Sequence, residues 1–599
     1  MLHDARRVSE AARALARVLA PRLILRWAFW LAWAWLMTLP GIARAEYKVT
    51  IDAPRPLRKI LEQHLDLARF ADRKDISDEQ FDFLLTAVPR EATDLVQTEG
   101  YFSPVITTDV TTRKAKKNVR VTVDPGPRTT ISTVRLDFQG PMLSESPDRE
   151  AAARAAWTLR PGEAFSQAAW DAAKNAALKS LQSERYLGAK IAASRARVDP
   201  RTRQASLYVA FESGPTFRMG QVTVAGLKRY PETIVEHVNP LYVGEPYSAA
   251  RVQELQRQVQ STPYFASVAV DVGNDRSKAN DTPVNVKVAE FPYQSVRSGI
   301  GYTTDTGGRV ESSYSYNNVF GRAWVFSVQG RLEQDSQYGA LTLSTPPDSK
   351  AYVNSATLSE THDGVQSTDI YSQRIGVTRT RSLQYYDYNY SLLYYRDRLT
   401  QNVGPESVAR AIVPAWSWTR RNVDDPVFPR KGNLLGVEAG FSVKGIADAS
   451  FARLFAHARQ YIPIDKSDLL LLRAQLGGVF SPGSSSEIPA SLLFRAGGAE
   501  TVRGYSYESI GNSQAGSVLP TKYTVTAGAE YQHWFSHDWG AAVFYDAGTA
   551  TDNWAERQFF SGTGVGARWR SPVGPINLDV AYGIQHRSIR PYLTLGIAF

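Results

Sequence analysis

The pattern of apolar positions changes period once along the chain, near Pro292. Before that point apolar residues recur at helical spacing in stretches such as Asp78–Val88 (DEQFDFLLTAV) and Ala168–Ser183, which alternate with runs of period two. In VRVTVDP, Val119, Val121 and Val123 fall on one face of a strand. After Pro292 the chain breaks into segments of about ten residues with apolar and polar positions alternating, separated by Gly, Pro, Asn, Asp and Ser clusters. In NLLGVEAGFSV, Leu435, Val437, Ala439, Phe441 and Val443 oppose Gly436, Glu438, Gly440 and Ser442. In PINLDVAYGI, Ile576, Leu578, Val580, Tyr582 and Ile584 oppose Asn577, Asp579, Ala581 and Gly583. Sixteen such segments start near residues 294, 308, 322, 337, 350, 368, 384, 408, 432, 450, 468, 521, 538, 561, 575 and 590. The pattern predicts a 16-stranded antiparallel transmembrane β-barrel, with lipid-facing and lumen-facing side chains alternating. An array of soluble β-sandwiches is the competing fold, and it would need separate cores.

The first half carries an internal repeat. Tyr101, Tyr186 and Tyr264 are spaced by 85 and 78 positions, and the strand-ending prolines Pro127, Pro215 and Pro292 by 88 and 77. Two markers keeping one spacing argue for repeated small domains, here three α+β units of two helices on a small sheet, at 46–127, 128–215 and 216–292. Their sheet edges are open to strand addition by another polypeptide, or to packing against a neighbouring unit. The barrel takes 293–599.

Composition narrows the setting. Cysteine is absent, which leans toward an oxidising compartment. Arg22 and Arg26 precede the apolar run Trp27–Leu39 and the cleavage-type triplet Ala43-Arg44-Ala45, so residues 1–45 read as a secretory signal peptide. With a mean hydropathy of -0.30, any membrane span must be a closed barrel, which satisfies its own backbone. The formal charge of +10 is spread out, with no basic stripe interleaved with aromatics, so no nucleic-acid partner is expected.

The stretch from 481 to 520 interrupts the strand rhythm between the eleventh and twelfth segments and contains ETVRGYSYESIGN. A long loop with its own apolar residues is commonly functional or folded inward. An inward arginine needs acceptors. On alternation, Glu530 faces the lumen with Thr524, Thr526 and Gly528, and Asp546 faces it with Phe544 and Gly548. A guanidinium fork suits paired carboxylates, so Arg503 is expected to engage Asp546 and Glu530, the alternative being a loop arginine in water.

Three stretches carry a resemblance: RAGGAETVRGY (Arg495–Tyr505), FYDAG (Phe544–Gly548) and DDPVFPRKGN (Asp424–Asn433). They are similar to signature stretches of the outer-membrane polypeptide-transport superfamily that includes BamA and TamA. The repeats resemble its POTRA domains, and the count of three resembles the TamA type, as do Gly299–Arg309 and Gly562–Asp579. The final strand, ending on Phe599, resembles the recognition signal of outer-membrane barrels. The resemblance implies a loop motif of Val502, Arg503, Gly504 and Tyr505 docked on the strand that carries Phe544, Asp546 and Gly548, beside the Glu530 that alternation supplies. It also implies a lateral seam between the first and last strands, with Gly299, Gly301, Gly596 and Phe599, which opens only when a client strand replaces the lost bonds. The implied partners are a TamB-like inner-membrane-anchored protein at the first repeat, unfolded outer-membrane protein clients such as autotransporters, and outer-membrane lipid. A secretion pore for an exoprotein and a phospholipid conduit share the architecture.

No enzyme, cofactor or metal site is expected. There is no phosphate-loop lysine, nucleophile elbow or cysteine pair. The glycines of GTGVG at Gly562 fall on one face of an alternating strand, and His533 and His537 share a face only in a helix.

Overall fold

The computed structural model describes residues 46–73, 75–113 and 116–595. The expected signal peptide at 1–45 and the seam residues Gly596 and Phe599 lie outside the described residues. The described residues form two compact units, one running to Phe217 and including Asn274–Ala279, the other made of Arg218–Gly273 and the described residues after Ala279.

The first unit holds two three-stranded sheets. In the first, Glu46–Asp52 runs parallel and Val105–Arg113 antiparallel to the central Lys116–Asp124. The alternation that places Val119, Val121 and Val123 on one face puts all three in the core, against Leu57, Leu61, Phe81, Val88 and Val96. The second sheet repeats the order with Thr130–Gln139, Gln204–Glu212 and Lys190–Asp199. Its core includes an edge-on pair of Trp157 and Trp170 with ring centroids 5.8 Å apart.

Two helical expectations need correction. The helix starting at Asp78 does not stop at Val88; it runs through Pro89 to Thr98. A proline inside a helix removes one hydrogen bond. Val88, Ala92 and Val96 nevertheless bury one continuous stripe, and that packing outweighs the local cost. The first two repeats also carry a short extra helix each, Asp66–Arg69 and Met142–Glu145.

The second unit begins with a third sheet, Met219–Ala225, Thr282–Glu290 and Phe265–Val272, covered by helices Thr233–Val238 and Ala249–Gln260. It is tied to the barrel by side chains. The Tyr264 hydroxyl donates to Ala323 O at 2.7 Å, and Asn317 Nδ2 donates to Pro263 O at 3.0 Å.

The barrel closes through sixteen antiparallel strands, from Gln294–Thr303 to Ser588–Leu595. Each starts within three residues of its expected position. Its burial is inverted relative to a water-soluble fold: on the fifteenth strand (Gly574–Gly583) Leu578 is 49% exposed and its neighbour Asp579 6%. Apolar residues outside and polar residues inside are what a bilayer requires of a barrel. Among the described residues no helix is long and apolar enough to cross a membrane.

The stretch after the eleventh strand (Asp468–Phe480) is not wholly irregular, as the sequence suggested. It contains a small hairpin, Asn512–Gln514 with Ser517–Leu519. The hairpin docks on the turn between the fifth and sixth strands, where Val518 N–H donates to Gln366 O at 3.1 Å.

Candidate functional site: the inward loop and its lumenal partners

The loop folds into the lumen and buries its RGY motif against the wall made by the last five strands: Tyr523–Trp534, Trp539–Thr551, Phe560–Ser571, Gly574–Gly583 and Ser588–Leu595. Val502 and Tyr505 are buried with Ala496, Ile510 and Ala550. Gly504 adopts φ +98, and a Cβ there would lie 2.6 Å from Gly583 N. The wall is equally bare where the loop touches it: a Cβ on Gly562 would sit 1.9 Å from Arg503 O. Both positions therefore require glycine, because backbone meets backbone. Gly548 lies against Val502, its hypothetical Cβ 3.0 Å from Val502 Cγ2.

Arg503 is 2% exposed. Its Nε donates to Asp546 Oδ2 at 2.7 Å and its Nη2 to Asp546 Oδ1 at 3.2 Å. Its Nη1 donates to Glu530 Oε2 at 2.7 Å and to Asp579 Oδ2 at 3.1 Å. The guanidinium carbon stands 3.3 Å from the centroid of the Phe544 ring, a close cation–π contact. The structure brings Glu530 and Asp546, the two carboxylates expected on the lumen face, to Arg503.

Further participants escaped the sequence reading. Arg568 on the fourteenth strand reaches Glu530 Oε1 at 2.7 Å and Asp579 Oδ1 at 2.5 Å. Arg473 on the eleventh strand reaches Asp546 Oδ1 at 2.8 Å. Three arginines thus face three carboxylates, and the cluster is neutral as a whole. Face parity contained part of this signal. Asp579 follows Asn577 on the polar face, and Arg568 follows the inward glycines Gly562, Gly564 and Gly566.

Tyr505 completes the dock. Its hydroxyl donates to Ser561 O at 3.1 Å and accepts from Gln585 N at 3.1 Å. Tyr592, on the sixteenth strand, accepts from Gly504 N–H at 2.9 Å and donates to Tyr505 O at 2.7 Å. Below the loop lies a cavity of about 910 Å³, lined by Arg257 of the third repeat and by Phe428, Glu500, Arg503 and Trp534 of the barrel.

The seam residues are placed differently from the loop motif. Gly299 and Gly301 on the first strand pair with Glu311 and Arg309 of the second. Among the described residues the first and sixteenth strands share the pairs Tyr302 with Leu595 and Thr303 with Thr594. His533 and His537 do not converge, since each pairs with its own aspartate, Asp468 and Asp538. Among the described residues no cluster of His, Cys, Asp and Glu is arranged to hold a metal ion.

Residues 318–599 match the Omp85 superfamily domain, and residues 217–290 match a POTRA family described as a surface antigen variable number repeat. The chain is 20% identical over 567 residues to the outer membrane protein assembly factor BamA of Neisseria meningitidis, covering 83% of this chain and 70% of that one. It is 24% identical over 389 residues to BamA of Nitratidesulfovibrio vulgaris, covering 61% of this chain and 48% of that relative. It therefore spans about half the length of the second relative. The crystal structure of Haemophilus ducreyi BamA lacking POTRA domains 1–3 shares the fold, with a TM-score of 0.55 at 16% identity, covering 78% of this chain and all of that one.

Proposed function

We propose that this chain, an outer-membrane barrel of the Omp85 superfamily with a periplasmic POTRA domain, assists the assembly or translocation of other outer-membrane polypeptides and performs no enzymatic chemistry. The observation that carries the reading is the inward loop. A water-filled pore has no need of a loop clamped to its inner wall beside the first and last strands, and here such a loop is fastened through three arginines and three carboxylates. That fastening supports an assembly role over a secretion pore for an exoprotein.

In its finer form the proposal is a TamA-type factor whose three small sheets are POTRA domains at 46–127, 128–215 and 216–292. The first engages a TamB-like inner-membrane-anchored protein, and the clients are outer-membrane proteins such as autotransporters. The first and last barrel strands form the lateral gate, at which a client strand replaces bonds that lipid cannot.

The test uses the absence of native cysteines. Thr303→Cys with Thr594→Cys places a disulfide across a paired position of the seam. Oxidised protein is expected to lose client assembly in proteoliposomes and to regain it on reduction. Full activity of the oxidised barrel sinks the gate. Affinity capture from detergent-solubilised outer membrane decides the subtype, according to whether the large inner-membrane-anchored partner is recovered with the full chain and lost after removal of the first repeat.

A further inference from the structure

The loop that carries Arg503 is bonded on both sides of the seam, to the turn that follows the first strand and to the sixteenth strand itself. On one side Ala499 N–H donates at 2.8 Å to Asp305 Oδ2, in the turn that follows the first strand. On the other, Gly504 N–H and Tyr505 O grip the Tyr592 hydroxyl of the sixteenth strand at 2.9 and 2.7 Å. Between these ties the segment is fixed to the wall, because Arg473 Nη1 donates to Ala499 O at 2.9 Å and the Arg503 cluster follows.

Both ties are built rather than incidental. Gly498 has φ +99, and a Cβ there would stand 2.9 Å from Asp305 Oδ2, so the carboxylate approaches through a gap that only glycine leaves. Tyr592 packs in a small buried cluster with Phe544 and Ala581. Direct bonding across the seam beside the ladder, among the described residues, includes Thr304 N–H to Leu593 O at 3.1 Å and Leu593 N–H to Thr304 Oγ1 at 2.6 Å.

We propose that residues 498–505 staple the seam from inside the barrel, with Asp305 and Tyr592 as the positioning residues that hold its two strands together. The proposal rests on the seam being the gate only for its functional consequence; the staple itself is a matter of strand spacing. Separating the strands requires breaking one tie, and releasing the arginine cluster slackens both.

Spin labels at Val310→Cys and Ile589→Cys, both lipid-facing and exposed, report the spacing between the second and sixteenth strands by double electron–electron resonance in nanodiscs. Asp305→Ala and Tyr592→Phe are each expected to raise the wide-spacing population about tenfold, the scale of losing a hydrogen bond to a charged or doubly used group. Asp305→Asn keeps an acceptor and is expected to stay near the parent distribution. Gly498→Ala pushes the Asp305 carboxylate away while leaving both strands intact, and gives the same widening if Asp305→Ala fails to fold. An unchanged distribution in folded Tyr592→Phe and Gly498→Ala overturns the staple. If the distributions widen but the Thr303–Thr594 disulfide leaves client assembly intact, the staple stands and the gate falls.

Discussion

Replacing Arg503 by alanine should undock the loop without unravelling the barrel. The substitution leaves Asp546, Glu530 and Asp579 facing Arg473 and Arg568 alone. A neutral buried cluster becomes one with a net negative charge, and breaking such a pair by removing one partner costs about 3–5 kcal/mol. The Phe544 contact adds about 1 kcal/mol more. Arg503→Lys keeps the charge but cannot reach three carboxylates with one ammonium, so it is expected to fall about midway. Adding Glu530→Gln to Arg503→Ala restores neutrality and should recover part of the loss. Asp546→Arg is a poor rescue for Arg503→Glu, because Asp546 also holds Arg473 at 2.8 Å and the new cation would face that arginine. Loop release is read by maleimide labelling of Ser509→Cys over a urea series in detergent. An Arg503→Ala midpoint within about 0.5 kcal/mol of the parent, the range of an inconsequential surface change, refutes the view that this cluster holds the loop.

Tyr264→Phe leaves Ala323 O without its donor in a buried joint, so the tie between third repeat and barrel should weaken by about 1–3 kcal/mol, seen as faster proteolysis at 291–293. Gly562→Ala should block docking outright, because its methyl would meet Arg503 O; labelling at position 509 should then be as fast without urea as with it. Burial opposes the charge on Glu290, yet the N–H groups of Lys228, Arg229 and Tyr230 hold its carboxyl below the usual carboxylate range. The stabilisation is present above the ordinary carboxylate pKa of about 4.3 and lost as pH falls through the depressed value. Amide exchange at 228–230, corrected for its intrinsic pH dependence, should therefore accelerate in acid, and Glu290→Gln should remove the acid-dependent part.

How much of this was legible in the sequence follows from which physical constraint sets each feature. Alternation fixes which side of the wall a residue faces, so Leu578 and Asp579 could be assigned to lipid and lumen, and so could Glu530 and Asp546. Alternation does not fix height. Whether Asp579, three strands from Glu530, reaches the same arginine depends on the stagger accumulated as the barrel closes. That stagger is a property of the whole sheet, and it is why Asp579 stayed unassigned although its face was known, and why Arg568 was not singled out. Pro89 shows the other limit: a local rule for ending helices yields when Val88, Ala92 and Val96 supply a continuous buried stripe.

The composition of the cluster bears on how the loop could respond to the wall. An apolar plug tolerates sliding, since one greasy contact replaces another at similar energy. Buried charges do not, because moving any one of strands eleven to fifteen separates an arginine from a carboxylate and strands an uncompensated charge. The twelfth to fifteenth strands supply Glu530, Asp546, Arg568 and Asp579, and the sixteenth adds Tyr592. A shift of the seam strand is therefore felt at Gly504 and Tyr505, one and two residues from Arg503, while Asp305, in the turn that follows the other seam strand, is held through Ala499. Coupling by so short a path needs no relay through the rest of the barrel. It makes the loop's attachment a direct reporter of seam geometry, so that Tyr592→Phe should speed labelling at position 509 as well as widen the seam. An effect on the seam alone would show that the two are independent.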